Sequence, residues 1–186
     1  MGYSTDFSGG LSLSRPATAI ELDYINKFSE TRRMKRDVNK LMELYQGKHG
    51  HPTPKSDNPE DIYGADGAYF NNPDDDKTGV IDYNTPPGQS DFRGQNKKGQ
   101  PGLWCQWEIT PDGTEFGWNG AEKFYNYVEW LKYLINNFFE PWGIKLNGEI
   151  FWEGEDHDDQ GKIIVTDNVV KTQHAEIIYR YDDDED

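Results

Sequence analysis

The segment "AEKFYNYVEWLKYLINNFFEPWG" (residues 121–143) constrains the fold more than any other. Its Phe124, Tyr127, Val128, Leu131, Leu134, Ile135 and Phe138 recur at helical spacing and form one continuous apolar face. A helix with a single apolar stripe is stable only against a partner layer. Asn119 reads as its N-cap, with Glu122 three residues on, and Pro141 and Gly143 close it. The partner layer is written just upstream. "GLWCQWEIT" alternates apolar and polar, Pro111-Asp112-Gly113 supplies a turn, and "TEFGWNG" returns, which predicts a β-hairpin over 102–118.

The beginning of the chain repeats this strand-then-helix logic. "GYSTDFSGGLSLS" reads as a strand with a bulge or bend at Gly9-Gly10. "ATAIELDYINKFSETRR" reads as a helix, with a Thr18/Glu21 capping box and Ile20, Tyr24, Ile25 and Phe28 on one face. The stripe of "MKRDVNKLMELY" (Met34, Val38, Leu41, Met42, Tyr45) is displaced from it, which places a break near Arg32 to Arg36. Three strands close the chain: "IKLNGEIFWEG", then "KIIVTDNVV" after a turn at "EDHDDQG", then "AEIIYRY".

Residues 47–99 carry Pro, Gly, Asn and Asp with almost no periodic apolar signal, and "TGVIDYN" (78–84) is the one strand expected there. The stretch reads as a long insertion, variable or mobile rather than a binding loop. The predicted fold is therefore α+β: an antiparallel sheet with two amphipathic helices on one face, a ferredoxin-like core interrupted by that insertion. The domain spans 1–181, and the like-charge run at 182–186 reads as a disordered acidic tail.

Hydrophobic residues are 34% and aromatics 14%, so the core must be aromatic-rich. The net charge of −15 argues against direct nucleic-acid binding. Residues 1–55 carry net +3 and the rest −18. One cysteine, Cys105, permits no intramolecular disulfide, and neither an apolar leader nor a run long enough to span a bilayer is present, so a cytoplasmic protein away from membranes is expected.

Two groups of side chains stand out as contact candidates. The run "RRMKR" supplies Arg32, Arg33 and Arg36, whose forks suit a phosphate or an anionic nucleotide; alternatively the cluster serves the protein's own carboxylates. In the hairpin, period-two alternation sends Leu103, Cys105, Trp107 and Ile109 to the core and Trp104 to the open sheet face, there to be joined by Trp118 or Trp152. Such a face could stack bases, with Tyr127 as a further stacking group, or be covered by the insertion or a second copy. The acidic turns "NNPDDDKTG" (71–79) and "GEDHDDQG" (154–161) lack EF-hand spacing and read as solvated turns. His49, His51 and His157 have no convergent ligands in the sequence, and Cys105 with His174 carries no nucleophile signature. No metal or cofactor is implied.

The segments "GYSTDFSGGLSLSRP", "FSETRRMKR", "QPGLWCQW", "EKFYNYVEWLKYLI" and "LNGEIFWEGEDHDDQGKIIVTDNVV" resemble an uncharacterised family of small proteins from bacteria and their phages. The resemblance covers both halves of the chain, skips most of 47–99, implies a cytosolic protein and carries no activity with it. The leading expectation is a non-enzymatic acidic protein that binds or inhibits a protein partner, in its sharper form a basic nucleic-acid-binding one. The alternatives are a small-ligand or nucleotide binder, with or without enzymatic activity, built on Arg32, Arg33, Arg36 and an aromatic face, and a structural subunit closed as a homodimer.

Overall fold

The computed structural model describes residues 2–53, 56–75, 77–88 and 99–181; the acidic tail and residues 89–98 of the predicted insertion lie outside the described residues. The chain runs β1 (Thr5–Leu13), α1 (Ala19–Glu30), β2 (Lys35–Arg36), α2 (Val38–Tyr45), α3 (Pro59–Tyr63), a turn of 3₁₀-helix (Ala65–Gly67), β3 (Val80–Asp82), β4 (Trp107–Ile109), β5 (Glu115–Trp118), α4 (Tyr127–Leu134) continued by a π-helical turn (Ile135–Phe139), β6 (Leu146–Gly154), β7 (Gln160–Thr166) and β8 (Val169–His174). Six strands form one antiparallel sheet in the order β4-β5-β1-β6-β7-β8, and β2 pairs with β3 apart from it. The structure is thus α+β with an antiparallel sheet.

β1 and β6 are the spine, paired without a break from Thr5↔Gly154 to Leu13↔Leu146. Gly9-Gly10 is accordingly a bend and not a bulge on that side. Gly9 takes φ 83°, and a Cβ there would lie 2.6 Å from the Glu149 carbonyl oxygen. Gly148 answers it across the pair: a Cβ there would lie 2.7 Å from the Gly10 carbonyl oxygen. The two glycines let the backbones pass closely as the sheet coils.

The inward face of the sheet (Leu11, Phe116, Ile150, Trp152, Ile163, Val165) packs against Tyr24, Ile25 and Phe28 of α1 and Trp130, Leu131 and Leu134 of α4. α1 begins as expected, with the Thr18/Glu21 capping box formed in both directions. α4 begins later than expected, at Tyr127. Asn119 accepts a bond from the Ala121 N–H, but Lys123 and Asn126 take φ 61° and 55°, so 121–126 is a wrapped, non-helical segment. It delivers Phe124 into the aromatic core beside Trp107 and Phe7. Tertiary packing has overridden the helical pattern there.

The last strand also differs from expectation. Asp167 and Asn168, at φ 47° and 70°, form the turn inside "KIIVTDNVV", so the final strand is "VVKTQH" and "AEIIYRY" lies beyond it, exposed. The predicted insertion carries α3, the 3₁₀ turn and β3. Ile62, Tyr63 and Phe70 from it form a second small core with Leu41 of α2. None of the helices among the described residues is long and apolar enough to cross a membrane.

Candidate functional site

The basic run divides. Arg32, half-buried, stacks over the Tyr83 ring at 4.1 Å and reaches that residue's carbonyl at 3.4 Å. Arg33 and Arg36 are buried. The Arg33 guanidinium donates to the carbonyls of Thr31, Ala68 and Phe70 and lies 4.1 Å from the centre of the Phe28 ring. Arg36 donates to the Thr78 carbonyl at 2.8 Å and covers the Phe70 ring. The cluster therefore does serve the protein itself, with the Arg33 guanidinium held by backbone carbonyls and a ring. Arg33 ties the Ala68 and Phe70 carbonyls to the main core, Arg36 ties Phe70 to Thr78, and burial brings the Arg33 guanidinium down to about 10. An anion site on this run would have to be built from Arg32.

The aromatic candidates separate in the same way. Leu103 is partly buried, Cys105, Trp107 and Ile109 are buried and Trp104 is 43% exposed, but the strand covers only Trp107–Ile109 of the expected 103–109, and Gln106, expected to point outward with Trp104, is buried with its amide on the Glu122 carbonyl. Trp118 does not join Trp104. It stands directly opposite Trp107 in the β4–β5 ladder, on the core face, with its ring 5.4 Å from Phe7 and its indole N–H on the Ala121 carbonyl. Trp152 is buried on that face too, so neither tryptophan could be predicted from alternation in the hairpin alone. Tyr127 packs on Phe7 at 4.8 Å and lines a groove of about 420 Å³ between α4 and β8. Arg33 and Trp104 line none of the three grooves described here.

The acidic turns are occupied by internal bonds. Burial opposes ionisation of Asp75, yet hydrogen bonds from the Thr78 and Tyr45 hydroxyls and two backbone N–H groups outweigh it and hold the carboxyl at about 2. Asp159 accepts from the Tyr3 hydroxyl at 2.8 Å and the Trp152 indole at 3.1 Å, tying the start of the chain to β6. No group of three or more His, Cys, Asp or Glu among the described residues could hold a metal ion. His51 is packed among Tyr24, Tyr69, Phe138 and Trp142, beside a groove of about 450 Å³. Cys105 sits under α1 with its thiol pushed up by burial to about 12, while His174 meets Trp152 edge-on at the opposite edge of the sheet.

The feature that sequence reasoning missed is the face of the sheet turned away from the helices. Ser8↔Phe151, Phe151↔Lys162 and Lys162↔Gln173 are successive partners, so one row of side chains crosses β1, β6, β7 and β8. Phe151 is 47% exposed at its centre. The neighbouring rows bring Asp6 beside Glu153 and put Glu149 3.1 Å from the Lys162 ammonium, which itself lies 6.0 Å from the Phe151 ring centre. A groove of about 490 Å³ runs along these residues. Period-two alternation within "LNGEIFWEG" carries the signal: with Ile150 and Trp152 inward, Phe151 must point out.

Compared with protein-family models, curated proteins and solved structures, the chain matches none.

Proposed function

We propose that this is a non-enzymatic, acidic protein-binding protein of bacterial or phage origin, working in the cytoplasm, that offers the uncovered sheet face to a basic partner of the kind that binds nucleic acid, and so inhibits it. The observation that carries the reading is Phe151, a solvent-facing aromatic ring at the centre of a four-strand row, flanked by Asp6, Glu149 and Glu153. Interfaces draw most of their affinity from a few central aromatic anchors, and a charged rim governs encounter rate and partner choice. A net charge of −15 steers toward a cationic surface over more than a contact distance.

The ferredoxin-like reading of the core has its support in the chain order β1-α1-β4-β5-α4-β6 with the spatial order β4-β5-β1-β6. β7 and β8 then extend a four-stranded unit, and the segment between α2 and β4 is the insertion. The extension is what creates the Phe151 row, because Lys162 and Gln173 belong to it.

An immobilised peptide array with Lys/Arg-rich, apolar-containing members and acidic controls tests the role. The wild-type chain is expected to be held by basic members at low salt and released as salt rises. Phe151→Ala should weaken retention about tenfold or more, with the melting temperature unchanged. Equal retention on acidic and basic members, or retention indifferent to Phe151→Ala, overturns the proposal.

A further inference from the structure

We propose that this protein forms a twofold dimer in which two copies of β8 join edge to edge, with residues 176–181 of each copy completing the other copy's sheet.

β8 ends the sheet, so one side of its backbone has no strand partner among the described residues. The Ala175 N–H donates to the Gln160 carbonyl at 2.7 Å, the last rung of the β7–β8 ladder. Antiparallel alternation then turns the N–H and C=O groups of Val170, Thr172 and His174 outward. An edge of this length with no inward charge, proline or bulge invites a further strand.

The strand to fill it is supplied by the same chain. β7 begins at Gln160, so residues beyond Ala175 run past the end of the sheet. "EIIYRY" has the β-branched and aromatic content of a strand. Yet it is exposed throughout, with Ile178 63%, Tyr179 82% and Tyr181 98% open to solvent. Ile177, Ile178, Tyr179 and Tyr181 are thus left without a covering layer among the described residues of one copy.

A second copy solves both problems at once, which a closed twofold allows because the same surface serves twice. Antiparallel pairing centred on Ala175 sets Thr172 opposite Ile178 of the other copy, Val170 opposite Arg180 and His174 opposite Glu176. These are the three β8 positions whose backbone groups point outward, so the register satisfies the open edge without disturbing the β7–β8 ladder. Lys171 falls opposite Tyr179 and Val169 opposite Tyr181, giving cross-strand pairs of the stabilising kind. Both copies carry the same net charge of −15, so added salt should favour the dimer.

Light scattering on the full chain across a concentration series, combined with amide hydrogen exchange, tests this. The expected result is a monomer–dimer equilibrium that tightens with salt, with the Val170, Thr172 and His174 amides protected only at dimer concentrations. Ile178→Lys changes a side chain already in solvent and should give a folded monomer. Thr172→Pro removes one outward N–H and should do the same, whereas Phe151→Lys, on the sheet face, should leave the dimer intact. A chain monomeric at every concentration, a dimer that survives Ile178→Lys, or a dimer whose Val170, Thr172 and His174 amides exchange freely overturns the proposal.

Discussion

The Arg33 guanidinium lies 4.1 Å from the centre of the Phe28 ring, fully inside the protein, and no carboxylate among the described residues meets it. α1 provides the ring, and the segment after the 3₁₀ turn provides the Ala68 and Phe70 carbonyls. One side chain therefore joins the main core to the predicted insertion.

Arg33→Ala should cost about 3 kcal/mol or more in urea unfolding, because it strands buried carbonyls and removes the cation from the ring. Arg33→Lys should recover little, since a single ammonium cannot fork across carbonyls two residues apart. Arg32→Ala, one position away, should stay within about 0.5 kcal/mol. Equal costs at the two positions would show that Arg33 is no staple.

Glu21 closes the α1 capping box and accepts both arms of Arg15, at 2.8 and 2.9 Å; that pairing holds its carboxyl below the ordinary value near 4.5. Its folded pKa is depressed, so its contribution is present above the ordinary range and lost as pH falls below it. Glu21→Gln should cost about 1 kcal/mol at neutral pH. The gap from wild type should close on acidification, as read by denaturant midpoints along a pH series.

Alkaline pH should destabilise the fold. Burial pushes Cys105 to about 12 against its ordinary 9, and Tyr127 to about 12 against 10. The unfolded chain loses these protons first, so stability falls as pH rises through about 9 to 12. Cys105→Ala should flatten the alkaline slope by at most about 1.4 kcal/mol per pH unit. Native Cys105 should be inert to a thiol reagent at mildly alkaline pH and react at once in denaturant.

Gly9→Ala should cost about 2 kcal/mol or more by thermal or urea unfolding, since the position has φ 83° and the added Cβ meets backbone rather than a movable side chain. Gly120→Ala is the control: also at positive φ, at 82°, it meets nothing within 4 Å and should show only the conformational part of that cost.

Much of the architecture was legible because it follows from short-range periodicity. The Thr18/Glu21 box, the inward set Cys105, Trp107 and Ile109, and the hairpin turning at Pro111-Asp112-Gly113 all depend on neighbours within a few residues. The errors share a different cause. "AEKFYN" is patterned for helix but is unwound so that Phe124 reaches Trp107; "AEIIYRY" is patterned for a strand but overshoots β7; and the tight turn was hidden inside a β-rich run at Asp167-Asn168.

The sequence by itself determined which side chains alternate inward along each strand and which helix faces are apolar, because both follow from backbone periods of 2 and 3.6 residues. Only the tertiary structure decided what those side chains meet. Arg33 and Arg36 look like a surface anion cluster in one dimension and are interior staples in three. Phe151 looks like one more aromatic in a core strand and becomes the centre of an uncovered face. The difference is physical: burial and pairing depend on which strands become neighbours, and Ser8, Phe151 and Lys162 are brought together by contacts that no local pattern records.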